Sequence, residues 1–230
     1  VMERLEDYKR PSVAVDMVVF TATEDALKVL LIKRGKEPFS GHWCLPGGFM
    51  KIDESPENAA LRELKEETGV KDVYLEQLYT FGEPKRDPRG RVISISYFAL
   101  VDSSRIKPFV TGQEKIENVQ WCDIARLPKL GFDHKDIIEY ALKRLRYKME
   151  YTAVGLELLP YRFTLTQLQN LYEIILNEKI DKRNFRKKIV SMGIVESTGH
   201  VKKGSHRPAV LYRFRSAGQS SRFKKVRFEG

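Results

Sequence analysis

Residues 48 to 70, GFMKIDESPENAALRELKEETGV, constrain this chain more than any other stretch. Ser55-Pro56-Glu57 reads as a helix start: serine caps, proline is accepted at the first helical position, and an acid follows in the first turn. Gly69 supplies the stop. Between them Glu63, Glu66 and Glu67 fall at i, i+3 and i+4, so three carboxylates crowd one helix face. Like charges at that spacing cost a few tenths of a kcal/mol each, a penalty that a bound hard cation removes. Carboxylate oxygens suit Mg²⁺ or Mn²⁺, which are commonly held by a few carboxylates together with substrate phosphate oxygens. A charged helix face is more often simply solvated, but the flanking residues argue against that here. Gly47-Gly48 permits a backbone turn that other residues resist, and Arg62 and Glu54 can pair to hold the loop against the helix.

Gly48, Glu54, Arg62, Glu63, Leu64, Glu66, Glu67, Gly69 and Val70 fill the fixed positions of the Nudix box, which this segment resembles with high specificity. The resemblance implies an α/β/α sandwich that handles nucleoside diphosphates linked to another group. It implies Arg62, Glu63, Glu66 and Glu67 as catalytic residues, with the three glutamates on the metal, and Gly47 and Gly48 among the ligand-binding positions. Nudix enzymes often use a further acid from outside the box. Glu114, in Thr111-Gly112-Gln113-Glu114, is the candidate base or additional ligand, with Glu117 in reserve; an exposed loop carboxylate is the bland alternative for both. The run Arg86-Asp87-Pro88-Arg89-Gly90-Arg91 resembles ADP-ribose pyrophosphatases, and Arg86, Arg89 and Arg91 can fork onto phosphates. His134, in Phe132-Asp133-His134, is a lone histidine, more often a structural hydrogen bonder than a ligand, and is left out of the site.

Charge divides the chain. Residues 1–160 hold 25 Lys+Arg against 26 Asp+Glu, whereas residues 161–230 hold 16 against 5, so the whole excess of +10 lies in the back of the chain. A neutral front and a strongly basic back suggest that the back meets a polyanion. No apolar run is long enough to span a membrane, and VMERLEDYKRP lacks the apolar core of a secretion signal. The two cysteines, Cys44 and Cys122, have no metal or disulfide spacing. Each lies beside a tryptophan in an apolar run, which favours packing. A cytoplasmic protein is expected.

The spacing predicts an α/β unit over residues 1–150: strands at Val13–Thr21, Lys28–Lys33, Val73–Phe81, Val92–Val101 and Val119–Trp121, the box helix, and a helix at Asp136–Met149. Residues 151–163 form a packed connector interrupted by Gly155 and Pro160. From Thr164 the pattern becomes helical over 164–215, with Thr164 or Thr166 as one cap and Asp181 as the cap of a second helix, Lys182–Met192, stopped by Gly193. Strands are expected at Ile194–Glu196 and Ala209–Phe214 around a turn-rich basic segment, and 216–230 is a polar basic tail. Helix, turn, helix and basic hairpin outline a winged helix-turn-helix. Solvated basic faces are commoner than DNA contacts, but the tight turn, the Asn and Arg near the second helix's start and the basic wing converge on DNA. Lys182, Arg183, Asn184, Arg186, Lys187, Lys188, Lys202, Lys203 and Arg207 are the expected contacts.

Together the halves resemble the NrtR group of bacterial regulators, through the box, Phe132-Asp133-His134, Phe163-Thr164-Leu165-Thr166-Gln167-Leu168-Gln169, Lys182-Arg183-Asn184-Phe185-Arg186-Lys187 and Arg207-Pro208-Ala209-Val210-Leu211-Tyr212. The resemblance implies a Nudix domain fused to a winged helix, a homodimer on double-stranded operator DNA, control of NAD-cofactor genes and ADP-ribose as a typical effector. Related members regulate sugar use, so a sugar-type effector is one alternative. Several members carry a decayed box and sense without cutting. The intact box here leaves a second alternative, a Mg²⁺-dependent ADP-ribose pyrophosphatase.

Overall fold

The computed structural model describes residues 4, 8–71, 73–102, 108–110, 115–151, 155, 158–202 and 208–215. The front of the chain is a seven-stranded mixed sheet. Its spine is β1 (Ser12–Ala22), β2 (Leu27–Arg34), β3 (Trp43–Cys44), β5 (Tyr74–Phe81) and β6 (Val92–Leu100), in the order β3-β2-β1-β6-β5. β4 (Gly47–Phe49) pairs with β1, and β7 (Ile116–Asp123) pairs with β2. β1 runs parallel to β6 and antiparallel to β2.

β1 reads VAVDMVVFT rather than alternating, because both of its faces are covered. Val15, Met17 and Val19 pack with Ala59, Ala60 and Leu64 of α1 (Pro56–Thr68). Val18 and Phe20 pack with Ile137, Ala141 and Leu145 of α2 (His134–Tyr151). The expected α/β/α sandwich is thus formed, with α1 and α2 on opposite sides of the sheet. Helix α1 starts and stops as its sequence dictates. The Ser55 side chain accepts from Asn58 N–H, and Gly69 closes the end at φ 71°.

The second unit comprises β8 (Phe163–Thr164), α3 (Leu165–Leu176), α4 (Lys182–Ser191), β9 (Val195–Lys202) and β10 (Ala209–Phe214), its three strands ordered β8-β10-β9. Thr164 and Gln167 form a capping box on α3, and Asp181 accepts from Arg183 and Asn184 N–H at the start of α4. Asn177 takes the left-handed turn that ends α3, at φ 59°. β9 extends beyond the short strand expected from sequence. Thr198–Lys202 were read as turn, yet Val201 and Lys202 pair with Val210 and Ala209, and Gly199 at φ 74° lies where the register shifts. β7 is likewise longer than the three residues expected, because it pairs along β2 from Lys28 to Arg34.

The two units share a core. Leu165, Leu168, Leu171, Tyr172, Ile175, Phe185 and Ile189 are continuous with Ala141, Leu145 and Met149 of α2, and Arg146 Nε donates to the Ile175 carbonyl at 2.8 Å. Phe185 is fully buried, its ring set edge-on to Tyr172 at 5.5 Å. Phe185→Ala should lower the unfolding free energy by about 3–5 kcal/mol, read by urea denaturation; a loss below about 1 kcal/mol would show that α4 does not depend on this packing.

Candidate functional site

One end of β1 opens into a cleft of about 370 Å³. Its floor comes from the pairing of β1 with β4, which sets Asp16 opposite Gly47 and Val15 opposite Gly48. A side chain at either glycine would collide with what lies beside it. A Cβ on Gly47 would stand 2.2 Å from the Val15 carbonyl, and one on Gly48 would stand 2.4 Å from Glu63 Oε1. Gly47 therefore lets β4 press against β1, Gly48 leaves room for the Glu63 carboxylate of α1, and Gly47 N–H donates to Glu67 Oε2 at 2.8 Å.

The α1 wall carries Glu63 and Glu67, both buried. The structure brings these two into the cleft and leaves Glu66 outside its lining, with a side chain 44% exposed and 3.3 Å from Arg62. Positions i and i+4 project within about 40° of each other, whereas i+3 turns to the far side of i. The three-glutamate metal set read from the spacing is therefore split into a buried pair and an outer member. Arg62 pairs with Glu54 as expected, donating from Nε at 2.9 Å and Nη2 at 2.6 Å. Those bonds, with the Lys51 N–H, hold the Glu54 carboxyl down at about 2. Arg62 also reaches Glu63 Oε1 at 2.7 Å. Burial pushes the Glu67 carboxyl up to about 7, although Lys115 and the Gly47 N–H act against it. Lys115 Nζ lies 2.9 Å from Glu67 and 3.5 Å from Glu63.

Opposite stands a buried charge cluster. Arg86 donates to Asp133 from Nε at 2.8 Å and from Nη2 at 2.6 Å, and Nη2 also lies 3.2 Å from Asp16 Oδ2. The arginine expected to fork onto phosphate thus forks onto a carboxylate at the start of α2. Ser94 donates to Asp16, and His134 Nε2 lies 3.4 Å from Asp16 Oδ1. His134 Nδ1 accepts from Leu45 N–H at 2.8 Å, which fixes the neutral tautomer with its proton on Nε2, facing Asp16. Burial opposes ionisation of Asp16, but the hydrogen bonds from His134 Nε2–H and the Ser94 hydroxyl, with the charge of Arg86, outweigh it and hold the carboxyl well below its ordinary range. Arg89 remains at the cleft mouth, paired with Asp87 at 2.7 Å and lying 5.1 Å from the Phe49 ring and 5.8 Å from the Phe132 ring. Arg91 lies outside the lining and donates to the Gly82 carbonyl. Glu114 lies outside the described residues, and Glu117 pairs with Lys33 at 2.9 Å on the far side of β7's start.

Sequence reasoning missed Asp16, Asp133 and Lys115, while His134 is the structural hydrogen bonder it was expected to be. Asp16 carried a signal, a lone acid within an otherwise apolar strand, and such a residue needs a buried partner.

On the second unit, Lys182, Arg183, Asn184 and Lys187 are exposed along α4, and Lys202 is exposed at the end of β9. Lys188 is half-buried. Arg186, expected to read bases, is also half-buried and donates to Thr166 Oγ1 on α3 at 3.1 Å, because its position on α4 turns toward α3. Lys203 and Arg207 fall outside the described residues.

A Nudix domain model matches residues 10–141, and the model of the NrtR DNA-binding winged helix domain matches residues 155–214. The chain belongs to the NrtR family. It is 41% identical over 90% of its length, and 84% of the relative's, to the "ADPR responsive transcriptional repressor NtrR" of Acinetobacter baylyi. Among solved structures it resembles Shewanella oneidensis NrtR complexed with a 27mer DNA, with a TM-score of 0.80 and 36% identity over 93% of this chain and 98% of that one. It also resembles the Nudix domain of the same NrtR complexed with ADP ribose, with a TM-score of 0.57 and 39% identity over 62% and 94%. Among the described residues no helix is long and apolar enough to cross a membrane.

Two predictions follow from the cleft's electrostatics. Asp16→Asn removes the charge beside Arg86 and leaves one acceptor oxygen where His134 and the Arg86–Ser94 side need two; it should cost about 3–5 kcal/mol in urea denaturation, and a near-neutral effect would show that the cluster is not a stabilising unit. Glu67 has a folded-state pKa above its ordinary 4.5. Its stabilising contribution is therefore complete below about pH 4.5 and is lost as pH rises through about 7. With a chelator present, Glu67→Gln should gain roughly 2–3 kcal/mol on the wild type between pH 5 and pH 8. A pH-independent difference between the two would contradict this assignment.

Proposed function

We propose that this chain is a transcriptional repressor of the NrtR type. It holds double-stranded operator DNA through α4 and the β9–β10 wing, and it responds to ADP-ribose or a related nucleoside diphosphate derivative bound in the Nudix cleft. The observation that carries this reading is the cleft itself. Arg89, beside the Phe49 and Phe132 rings, and Lys115, on the buried Glu63–Glu67 pair, line one cleft, a setting suited to a diphosphate joined to a planar base. The basic helix that completes a sensor stands on the same chain. The names of the Acinetobacter repressor and of the Shewanella complexes with DNA and ADP ribose support the assignment. A homodimer goes with it, since a single small module buries only about 600–1,000 Å² on DNA and two copies of α4 would meet the half-sites of a palindrome. A cytoplasmic location goes with DNA as partner.

A divalent cation fits this donor set. Mg²⁺ is commonly held by one or two carboxylates plus substrate phosphates, and Glu63 and Glu67 offer that pair, with Glu66 on the outer side of α1. When bound, Mg²⁺ or Mn²⁺ would neutralise the diphosphate and polarise its phosphorus–oxygen bonds. Arg62 orients Glu63 and braces the loop, while Gly47 N–H fixes Glu67. A second reading, that the same cleft also hydrolyses its ligand, is favoured by the complete box on α1. AMP release from ADP-ribose with Mg²⁺ tests it, and absence of turnover across nucleoside diphosphate derivatives leaves a sensor only.

The regulatory reading is tested by fluorescence anisotropy on the DNA upstream of the chain's own gene. ADP-ribose should shift the binding curve, and an unshifted curve at saturating ADP-ribose rejects the effector assignment. Arg183→Ala and Asn184→Ala should each cost about 1–3 kcal/mol and relax specificity at particular positions. Lys187→Ala should weaken binding to all sequences and lower the salt slope by roughly one. Unchanged binding in all three variants rejects α4 as the recognition helix.

A further inference from the structure

We propose that Lys115 is a resident counter-cation for the Glu63–Glu67 pair, and that a divalent metal must displace its ammonium in order to bind there. The two carboxylates are 7% and 2% exposed, whereas the Lys115 side chain is 42% exposed. Its Nζ lies 2.9 Å from Glu67 Oε1 and 3.5 Å from Glu63 Oε2, so one ammonium bridges both acids. The other cation near the pair, Arg62, reaches Glu63 but not Glu67, and its other contacts go to Glu54, Glu66 and the Phe49 carbonyl. Among the described residues, Lys115 is thus the one side-chain cation on Glu67.

The root of Lys115 is fixed while its head is free to leave. Its carbonyl accepts from Gly35 N–H at 2.9 Å, and the next residue, Ile116, is paired with Arg34 in the sheet. Beyond that anchor the four-carbon stem is flexible and half-exposed, so the ammonium can swing into water without moving the backbone. An ammonium and a metal ion cannot both occupy the space between two carboxylates, since their charges repel in a site largely shielded from solvent. Two consequences follow. Metal binding is weaker than two buried carboxylates would otherwise give. The cleft also keeps a cation for an entering diphosphate when metal is scarce. The inference concerns the cation chemistry of Glu63 and Glu67 and does not depend on which effector the cleft takes.

Mn²⁺ alone serves as the probe, with free Mn²⁺ read by electron paramagnetic resonance against the full-length chain. Lys115→Met should bind Mn²⁺ about tenfold more tightly than the wild type, about 1.4 kcal/mol, while Lys115→Arg should stay near the wild-type value. Unchanged or weaker Mn²⁺ binding by a folded Lys115→Met overturns the proposal, as does the absence of Mn²⁺ binding to both proteins. A measurement on the wild type needs no variant to fold. In amine acylation followed by mass spectrometry, Lys115 should gain reactivity when Mn²⁺ saturates the chain, while Lys135, exposed on α2, should not change. Equal labelling of Lys115 with and without Mn²⁺ overturns the proposal. Failure of ADP-ribose to bind would leave both readouts intact, so the two readings fail separately.

Discussion

The bond of Arg86 to Asp133, with Asp16 and His134 around it, is the constraint on which the cleft depends. Removing charges from water costs several kcal/mol per ion unless the geometry repays it. Here the repayment is close to complete. Arg86 spends Nε and Nη2 on carboxylates, Asp16 collects Arg86, Ser94 and His134, and His134 is fixed on its other side by Leu45 N–H. The cluster ties three parts of the chain that lie far apart in sequence: the middle of β1, the loop between β5 and β6, and the first turn of α2. Without it the arginine-rich loop would have no fixed place over the sheet, and Arg89 would not stand between Phe49 and Phe132.

The opposite wall is held by close approach rather than by charge. Gly47 lets β4 lie against β1 where a side chain would strike the Val15 carbonyl, Gly48 leaves room for the Glu63 carboxylate, and the Gly47 N–H holds Glu67. Arg62 then acts as a strut, its fork on Glu54 and its remaining nitrogen on Glu63. The cleft is therefore a space between two preorganised walls of opposite construction. One is a self-neutralised salt cluster, and the other is an acidic pair held by Arg62 and Lys115.

Much of this was legible in the sequence because it was local. The cap at Ser55, the stop at Gly69, the Glu54–Arg62 pair and the Asp181 cap each depend on residues close in sequence, and each is found as read; of the two cap candidates for α3, Thr164 is the one that caps. What was not legible depends on pairing across the sheet. Asp16 meets Arg86 and His134 only because β1 lies beside β6 and below α2, and Lys115 reaches Glu67 only because β7 pairs with β2. The same limit explains the second unit. Periodicity placed α4 and its buried Phe185, but it could not show that Arg186 turns toward Thr166, or that Val201 and Lys202 continue β9 by pairing with β10.

Helix α2 shows what joins the two functions. Asp133, immediately before its first residue, and His134, which begins it, belong to the charge cluster of the cleft. About one and a half turns from its end, Arg146 holds the last turn of α3, and Met149 is buried in the core shared with the winged helix. An eighteen-residue helix is about 27 Å long, so one rigid element spans from the cleft to the domain that bears α4. A ligand alters DNA affinity only if it interacts differently with two arrangements of the protein. In this chain Arg86 holds Asp133, and with it the start of α2, against the cleft. The same helix therefore fixes one wall of the cleft and carries the winged domain on its other end.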